Sequence, residues 1–178
     1  MSLLSHTKLL TLSGMALTAA FAWQAEASER SYFRAAEGNW SGAGSIIAGP
    51  YKNTRFTCRL AGTTAGKVGM DLSGTCRVGL FSQPMSARVT KSGKGYRGAF
   101  LDGAKGKGLD IVGGTLRGTK LQLNIRRKQL NGVMVARMKD SGTMNITISV
   151  KVNRKLVPFI TLGLKKRGGA RRTSLLSD

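Results

Sequence analysis

Histidine is nearly absent from this chain of 178 residues, which contains only His6. His6 lies in an N-terminal segment with a short start carrying one lysine, an apolar stretch over residues 9–23, and the small-x-small triplet AEA ending at Ala27. These features predict a secretory signal peptide that is cleaved after Ala27, and therefore a periplasmic or secreted bacterial protein. A mature chain without histidine excludes Ser-His, Cys-His and His-metal sites.

Long apolar runs are also missing. The stretch over residues 9–23 is shorter than the roughly 18 to 20 residues that a membrane-spanning helix needs, and Ser13 and Gly14 interrupt it. No later segment approaches that length. The composition predicts a signal peptide over residues 1–27, a polar leader over 28–38, a β-barrel domain over 39–164 and a basic flexible tail over 165–178.

Carboxylates are few, with 8 Asp and Glu against 29 Lys and Arg. A pair of carboxylates can hydrolyse a glycosidic bond without histidine, and Asp102 and Asp110 flank one predicted turn. Aspartates in turns rich in Gly and Lys usually serve the turn itself. We therefore expect a non-catalytic protein with no cofactor and no metal site, and we keep a carboxylate-based hydrolase as an alternative.

The chain has two cysteines, Cys58 and Cys76. Each falls on the apolar face of a segment of alternating polarity, and an even number of cysteines in an exported protein favours a disulfide. Two separate buried thiols are the alternative. In the chain-entropy model a bridge closing a loop of this length stabilises the fold by roughly 3 kcal/mol.

Alternation of apolar and polar residues dominates the chain from Trp40 onward. It is clearest in MNITISVKVN at residues 144–153, and RFTCRLAG and VGMDLSGTCRV show the same period of two. Turn signals separate these segments at short intervals, including a hairpin signal at Asn131-Gly132. The pattern predicts an all-β fold, a small antiparallel up-and-down β-barrel of about eight to ten strands, with no long helix after the signal peptide.

The pattern does not say which face of the barrel is inside. An outer-membrane barrel also alternates, but aromatic residues at 6% of the chain are few for two membrane girdles. In a barrel with an apolar interior, large residues such as Met70, Leu72, Ile146 and Ile148 predict that side chains fill the inside. Trp40, on the first strand, is expected to plug one end.

The glycine-rich stretch from Gly93 to Gly98 matches the pattern GxGxxG. A dinucleotide-binding loop requires a helix after these glycines, because the pyrophosphate sits at the helix N-terminus. A predicted strand, YRGAFLD, follows instead. The stretch is therefore interpreted as two turns flanking a strand, with exposed lysines.

The formal net charge of +21 is the strongest functional signal in the sequence. Such an excess of cations favours a polyanionic partner, although it is also compatible with a basic surface that has none. Anionic envelope polymers or lipid headgroups are the expected partners; nucleic acid fits the charge but not the exported compartment. The candidate binding residues are Arg55, Arg59, Arg77, Arg126, Arg127, Lys128, Arg137, Lys151, Lys165, Lys166, Arg167, Arg171 and Arg172.

The segments GNWSGAGSIIAGPYKNTRFTC, GTCR and MNITISVKVNRKLVP resemble small secreted envelope proteins of alphaproteobacteria. The meander and the early G-x-W are more distantly similar to calycin barrels of the lipocalin and avidin kind. The resemblance implies a barrel and a periplasmic setting, and it implies no activity. The leading hypothesis is a protein that binds anionic envelope material, such as lipopolysaccharide, acidic polysaccharide, peptidoglycan or lipid headgroups, and maintains the envelope. A calycin-like carrier of a small apolar ligand is the alternative.

Overall fold

The computed structural model describes residues 16–101 and 108–168, which form one helix and ten strands. Alternating residues of period two form the strands, and Gly, Asn or Lys residues with positive φ form most of the tight turns between them. The elements are α1 Ala16–Ala36, β1 Gly38–Ile46, β2 Arg55–Thr64, β3 Gly69–Val78, β4 Phe81–Ser92, β5 Gly95–Leu101, β6 Leu109–Arg117, β7 Lys120–Arg127, β8 Leu130–Asp140, β9 Thr143–Val152 and β10 Lys155–Arg167.

The ten strands close into an antiparallel up-and-down barrel, which confirms the predicted fold class. Each strand pairs with its neighbours in the chain, and β1 closes the sheet by pairing with β10 from Asn39↔Arg167 to Ile46↔Ile160. Closure leaves no free edge among the described strands, so every strand has a partner on both sides. The side wall of the barrel is therefore continuous, and differences in the surface are expected at its two ends.

The apolar residues of each strand point into the barrel. Trp40, Cys58, Leu123, Ile125 and Leu164 are almost completely buried there, while the alternate positions face outward. An eight-stranded barrel is just wide enough for its interior side chains to fill it, and diameter grows with strand number. Ten strands therefore enclose more space than their inward side chains occupy.

The segment after Ala27 differs from the predicted polar leader. Residues 28–36 continue α1, and the side chains of Tyr32, Phe33 and Ala36 are buried in the barrel core. The Tyr32 hydroxyl donates a hydrogen bond to the Ala136 carbonyl oxygen on β8, at 3.0 Å. The last turns of α1 therefore close one end of the barrel, which we call the closed end.

The hairpin between β7 and β8 turns at Lys128 and Gln129, so the predicted turn at Asn131-Gly132 is wrong. Gly132 lies within β8 and pairs with Ile125. A Cβ atom at Gly132 would lie 2.5 Å from the Ser149 carbonyl oxygen, so this glycine serves the close approach of β9. Lys128 takes the positive φ of 51° that the turn requires.

The predicted disulfide is confirmed. Cys58 and Cys76 lie directly opposite each other on β2 and β3, with their Cα atoms 4.0 Å apart. Cys58 is 1% exposed and faces the interior. The bridge therefore ties the hairpin of β2 and β3 from within.

At its C-terminal end the barrel is longer than the sequence predicts. Lys165, Lys166 and Arg167 belong to β10 and pair with β1, and Lys165 also pairs with Thr143 on β9, whereas the sequence assigns all three to the tail. The rest of the predicted tail, residues 169–178, lies outside the described residues.

Candidate ligand cavity and basic rim

The interior of the barrel contains a cavity of about 430 Å³. This volume is within the range of roughly 300 to 1,000 Å³ typical of small-molecule sites. Met70, Leu72, Ile146 and Ile148 line it and are only partly buried. The prediction that these side chains fill the interior is therefore wrong, since the ten-stranded barrel is too wide for them to meet.

Apolar side chains make up nearly all of the described cavity wall. Leu, Ile, Met, Val and Phe residues from β2 to β10 and Trp40 from β1 contribute to it, and the Cys58–Cys76 bridge lies in the same wall. A cavity with such a lining offers water few hydrogen-bond partners, so it favours an apolar occupant. The interior can bind hydrocarbon by burial alone, without any directional contact.

The closed end of the cavity is built from α1 and β1. Trp40 confirms the expectation of a plug: it is 2% exposed, and its indole Nε1 donates a 2.9 Å hydrogen bond to the Ala36 carbonyl oxygen. Lys166 Nζ donates to the Ala35 carbonyl oxygen at 3.1 Å and lies 5.5 Å from the centre of the Trp40 ring. A cation near the helix C-terminus is favourable, since the last carbonyls of a helix carry partial negative charge.

A second set of contacts fixes α1 to β4 and β5. Lys91 Nζ forms an ion pair with Glu29 Oε1 and lies 5.0 Å from the centre of the Tyr96 ring. Phe33 packs against both Tyr32 and Tyr96, with ring centres 5.5 Å and 5.7 Å away. These contacts hold the helix across the barrel end by packing as well as by charge.

The two buried tyrosines of the closed end have raised pKa values. Burial raises the pKa of the Tyr32 hydroxyl well above its ordinary value near 10. Burial also raises the pKa of Tyr96, and the neighbouring Glu29 carboxylate adds to the effect. Both side chains are therefore neutral at neutral pH.

The opposite end of the cavity carries a cation. Arg127 lines the cavity, is half-buried, and is the one charged side chain among the described residues of the cavity wall. It is in phase with the inward residues Leu121, Leu123 and Ile125 of β7 and pairs with Leu130 on β8. The cavity thus runs from neutral aromatic groups at the closed end to a guanidinium at the other end.

We call that second end the open rim. It comprises the connections 47–54, 79–80, 128–129 and 153–154 with the strand ends that adjoin them. The described rim has one carboxylate, Asp110, whose register partner is Arg126. The cations of the open rim are Lys52, Arg55, Arg77, Arg126, Arg127, Lys128, Lys151, Arg154 and Lys155.

The structure divides the predicted basic residues between the two ends. Arg55, Arg77, Arg126, Arg127, Lys128 and Lys151 belong to the open rim, while Arg59, Arg137, Lys165, Lys166 and Arg167 lie on the half of the wall nearer the closed end. Arg171 and Arg172 lie outside the described residues. The predicted residues that the structure describes therefore extend over both halves of the barrel wall.

Two of the rim arginines also border a groove on the outer wall. This groove, of about 790 Å³, lies across β1, β2, β9 and β10, and its lining includes Arg55, Arg77, Thr57, Asn145 and Thr147. Its mixture of cations, hydroxyls and an amide suits a polar, anionic polymer more than an apolar ligand.

The predicted catalytic alternative gains no support from the geometry. Asp110 is exposed on β6, and its proposed partner Asp102 lies outside the described residues. Within the described residues no group of three or more Cys, Asp or Glu side chains is placed to hold a metal ion. In the part of α1 that the structure describes, no stretch is long and apolar enough to cross a membrane.

Sequence reasoning expected a filled interior, kept a ligand-binding interior as the alternative, and missed the inward position of Arg127. The signal for Arg127 was present, because in LQLNIRR it continues the inward alternation of Leu121, Leu123 and Ile125. No protein-family model matches this chain, and no curated protein matches it either.

Proposed function

We propose that this protein binds an amphiphile that has an apolar chain and an anionic headgroup. The chain occupies the barrel cavity, and the headgroup binds Arg127 and the neighbouring cations of the open rim. The observation that carries the proposal is the position of Arg127 at one end of an otherwise apolar cavity. The apolar wall matches the hydrocarbon chain of a fatty acid or an anionic lipid, and the cation at its end matches the anionic headgroup.

The energetics of such a ligand divide between its two halves. Burial of hydrocarbon contributes about 0.8 kcal/mol per methylene group, so a long chain supplies most of the affinity. A carboxylate or phosphate beside Arg127 accepts charge-assisted hydrogen bonds, which are stronger than neutral ones and fix the orientation of the ligand. The role is non-catalytic: the protein holds or carries the amphiphile.

The proposed setting is the bacterial periplasm or the outside of the cell. The signal-peptide features of residues 1–27 and the disulfide support an oxidising compartment. Cleavage after Ala27 would leave Glu29, Tyr32, Phe33 and Ala36 in the chain, so the closed end would keep its contacts. In this compartment the available anionic amphiphiles are the lipids of the cell envelope and the fatty acids released from them.

The test uses two ligands that share a chain and differ in charge. Binding of palmitate and of hexadecanol to the delipidated full chain is measured by calorimetry below the solubility limit of each ligand. We expect both ligands to bind, and we expect palmitate to bind more tightly than hexadecanol. Arg127→Gln should weaken the binding of palmitate about tenfold, since a charge-assisted hydrogen bond is worth roughly 1.5 kcal/mol. It should leave the binding of hexadecanol unchanged.

Arg117→Gln provides the matched control, because Arg117 is exposed on β6 near the closed end and does not line the cavity. It should bind both ligands as the unmodified chain does. The proposal fails if neither ligand binds, or if Arg127→Gln and Arg117→Gln weaken palmitate equally. In the second case general charge, and not the cavity end, would be responsible.

The outer groove favours a second candidate function, the binding of an acidic polysaccharide along the wall. Arg55 and Arg77 would make the contacts there. Its test is the salt dependence of binding to an acidic and a neutral glucan, with duplex DNA as a control for non-specific attraction. Binding that is equal for acidic glucan and DNA would reduce the groove to part of a generally basic surface.

A further inference from the structure

We propose that the open rim is a docking surface for an anionic lipid bilayer. The proposal rests on the outer surface of the rim and goes beyond the binding of a ligand in the cavity. It stands on the placement of exposed apolar side chains and of cations at the open rim.

All large hydrophobic residues that are exposed in the described part of the chain lie at the open rim. Some are in the connections and the others are in the first or last residues of the adjoining strands. They are Ile47, Tyr51, Val78, Leu80, Phe81, Leu130, Val152, Leu156 and Val157. Scattered exposed hydrophobics are ordinary on a protein surface, whereas a cluster confined to one end marks an interaction site.

The hairpin between β3 and β4 provides the most prominent apolar group. Leu80 is 98% exposed and Phe81 is 83% exposed, and Val78 beside them is 42% exposed. Val78 and Phe81 pair in the register of the two strands, so the hairpin is formed up to its tip. A fixed hairpin that presents leucine and phenylalanine to water is suited to insertion into the interfacial layer of a bilayer.

The cations of the open rim favour a bilayer with anionic headgroups. Lys52, Arg77, Lys128, Lys151 and Lys155 are all exposed at the level of the apolar tips. Basic side chains beside inserted apolar groups are attracted by anionic headgroups, which adds to the burial of the tips. A second copy of the same rim would bring like charges together, so self-association through this surface is disfavoured.

The opposite end of the molecule has a different charge pattern. Every described carboxylate except Asp110 lies on α1, in the turn before β1, or in the half of the barrel nearer the closed end; these are Glu26, Glu29, Glu37, Asp71 and Asp140. Cations accompany these carboxylates, so both halves of the described barrel are net positive, and the exposed apolar tips are what orient the open rim toward the bilayer. In that orientation the Arg127 end of the cavity faces the bilayer, so a lipid can enter the barrel without crossing water.

The test is co-sedimentation of the full chain with vesicles of phosphatidylglycerol and phosphatidylcholine, compared with vesicles of phosphatidylcholine alone. We expect binding to the anionic vesicles that weakens as salt is raised. Leu80→Ser with Phe81→Ser should weaken it at least tenfold at fixed salt. Lys151→Ser with Lys155→Ser should also weaken it, and should lower the dependence on salt.

The charge-matched control is Lys67→Ser with Lys94→Ser, because both lysines are exposed in turns at the closed end. This control should keep nearly full vesicle binding; equal losses in the two lysine pairs would overturn the proposal. The proposal would also be overturned if neutral and anionic vesicles bound the chain equally. It would be overturned as well if the lipid-free chain dimerised and the Leu80 and Phe81 changes abolished the dimer. Palmitate binding without vesicles remains a separate measurement, so failure of docking and failure of the cavity proposal are distinguishable.

Discussion

Arg127 and its neighbours on β7 illustrate how a single residue changes what an apolar wall can bind. Leu121, Leu123 and Ile125 precede it on the same inward face, so the strand carries hydrocarbon for most of its length and a guanidinium at its end. Arginine suits that place because its long stem packs on apolar surface and its planar head matches the geometry of carboxylate and phosphate. The sequence shows that Arg127 continues the alternation of Leu121, Leu123 and Ile125, but only the closed barrel shows that these positions face inward.

Tyr32 and Tyr96 make the stability of the closed end dependent on alkaline pH. Their folded-state pKa values are raised by burial, so their contribution is fully present below pH about 10, the ordinary value, and is lost as pH rises above it. We expect the free energy of unfolding to fall from pH about 10 upward. Urea unfolding as a function of pH measures this fall.

A spectroscopic control separates the two buried tyrosines from the third. Tyr51 is 70% exposed, so Tyr51→Phe removes it without disturbing the core and leaves only Tyr32 and Tyr96 to report. In that variant, phenolate absorbance should appear only together with unfolding. Absorbance that rises near pH 10 while the barrel stays folded would contradict the burial of these hydroxyls.

The helix α1 is the element that sequence patterns identify least well. Tyr32, Phe33 and Ala36 are apolar residues within the polar segment SERSYFRAAEG, which shows no sustained helical period. Their burial depends on contacts with Ala136, Tyr96 and other residues far away in the chain, which a local pattern cannot register. The strands, by contrast, pair with neighbouring segments of the chain, and alternation predicts them well, although it misplaces the turn between β7 and β8.

Removal of the Phe33 side chain should weaken the attachment of α1 to the barrel. Phe33 is 1% exposed, and truncation of a fully buried phenylalanine costs about 3 to 5 kcal/mol. We expect Phe33→Ala to lower the free energy of unfolding by an amount near the lower end of that range. Arg34→Ala, at the next and exposed position of the helix, should change it little; equal effects of the two changes would show that Phe33 does not anchor the helix.

The disulfide stabilises the hairpin of β2 and β3. Replacing both cysteines, Cys58→Ala with Cys76→Ala, should lower the free energy of unfolding by about 2 to 3 kcal/mol, since the unfolded chain gains conformational freedom. Urea midpoints with and without a reducing agent measure the effect. The unmodified chain should lose stability when reduced, whereas the variant should not respond; a response in both would assign the effect to something other than this bridge.

For the whole molecule, strand number is the property that connects sequence to function. The alternation predicts eight to ten strands. A barrel of eight strands would be filled by its own side chains, whereas the ten strands observed leave a cavity. The range of eight to ten therefore does not decide whether the barrel has a ligand cavity. The same alternation makes Val78 and Val152 look like core residues. They are exposed because the ends of their hairpins form the open rim, and that position follows from the register of all ten strands.

The central claim, that an apolar chain occupies the barrel, is tested most directly by filling the cavity. Ala87 lines it on β4 between Leu72 and Phe100 in the register, so Ala87→Phe would occupy ligand space. Ala43 is exposed on the outer side of β1, and Ala43→Phe is the matched change outside the cavity. We predict that Ala87→Phe weakens palmitate binding at least tenfold while Ala43→Phe leaves it unchanged; unchanged binding by a folded Ala87→Phe variant would contradict the account.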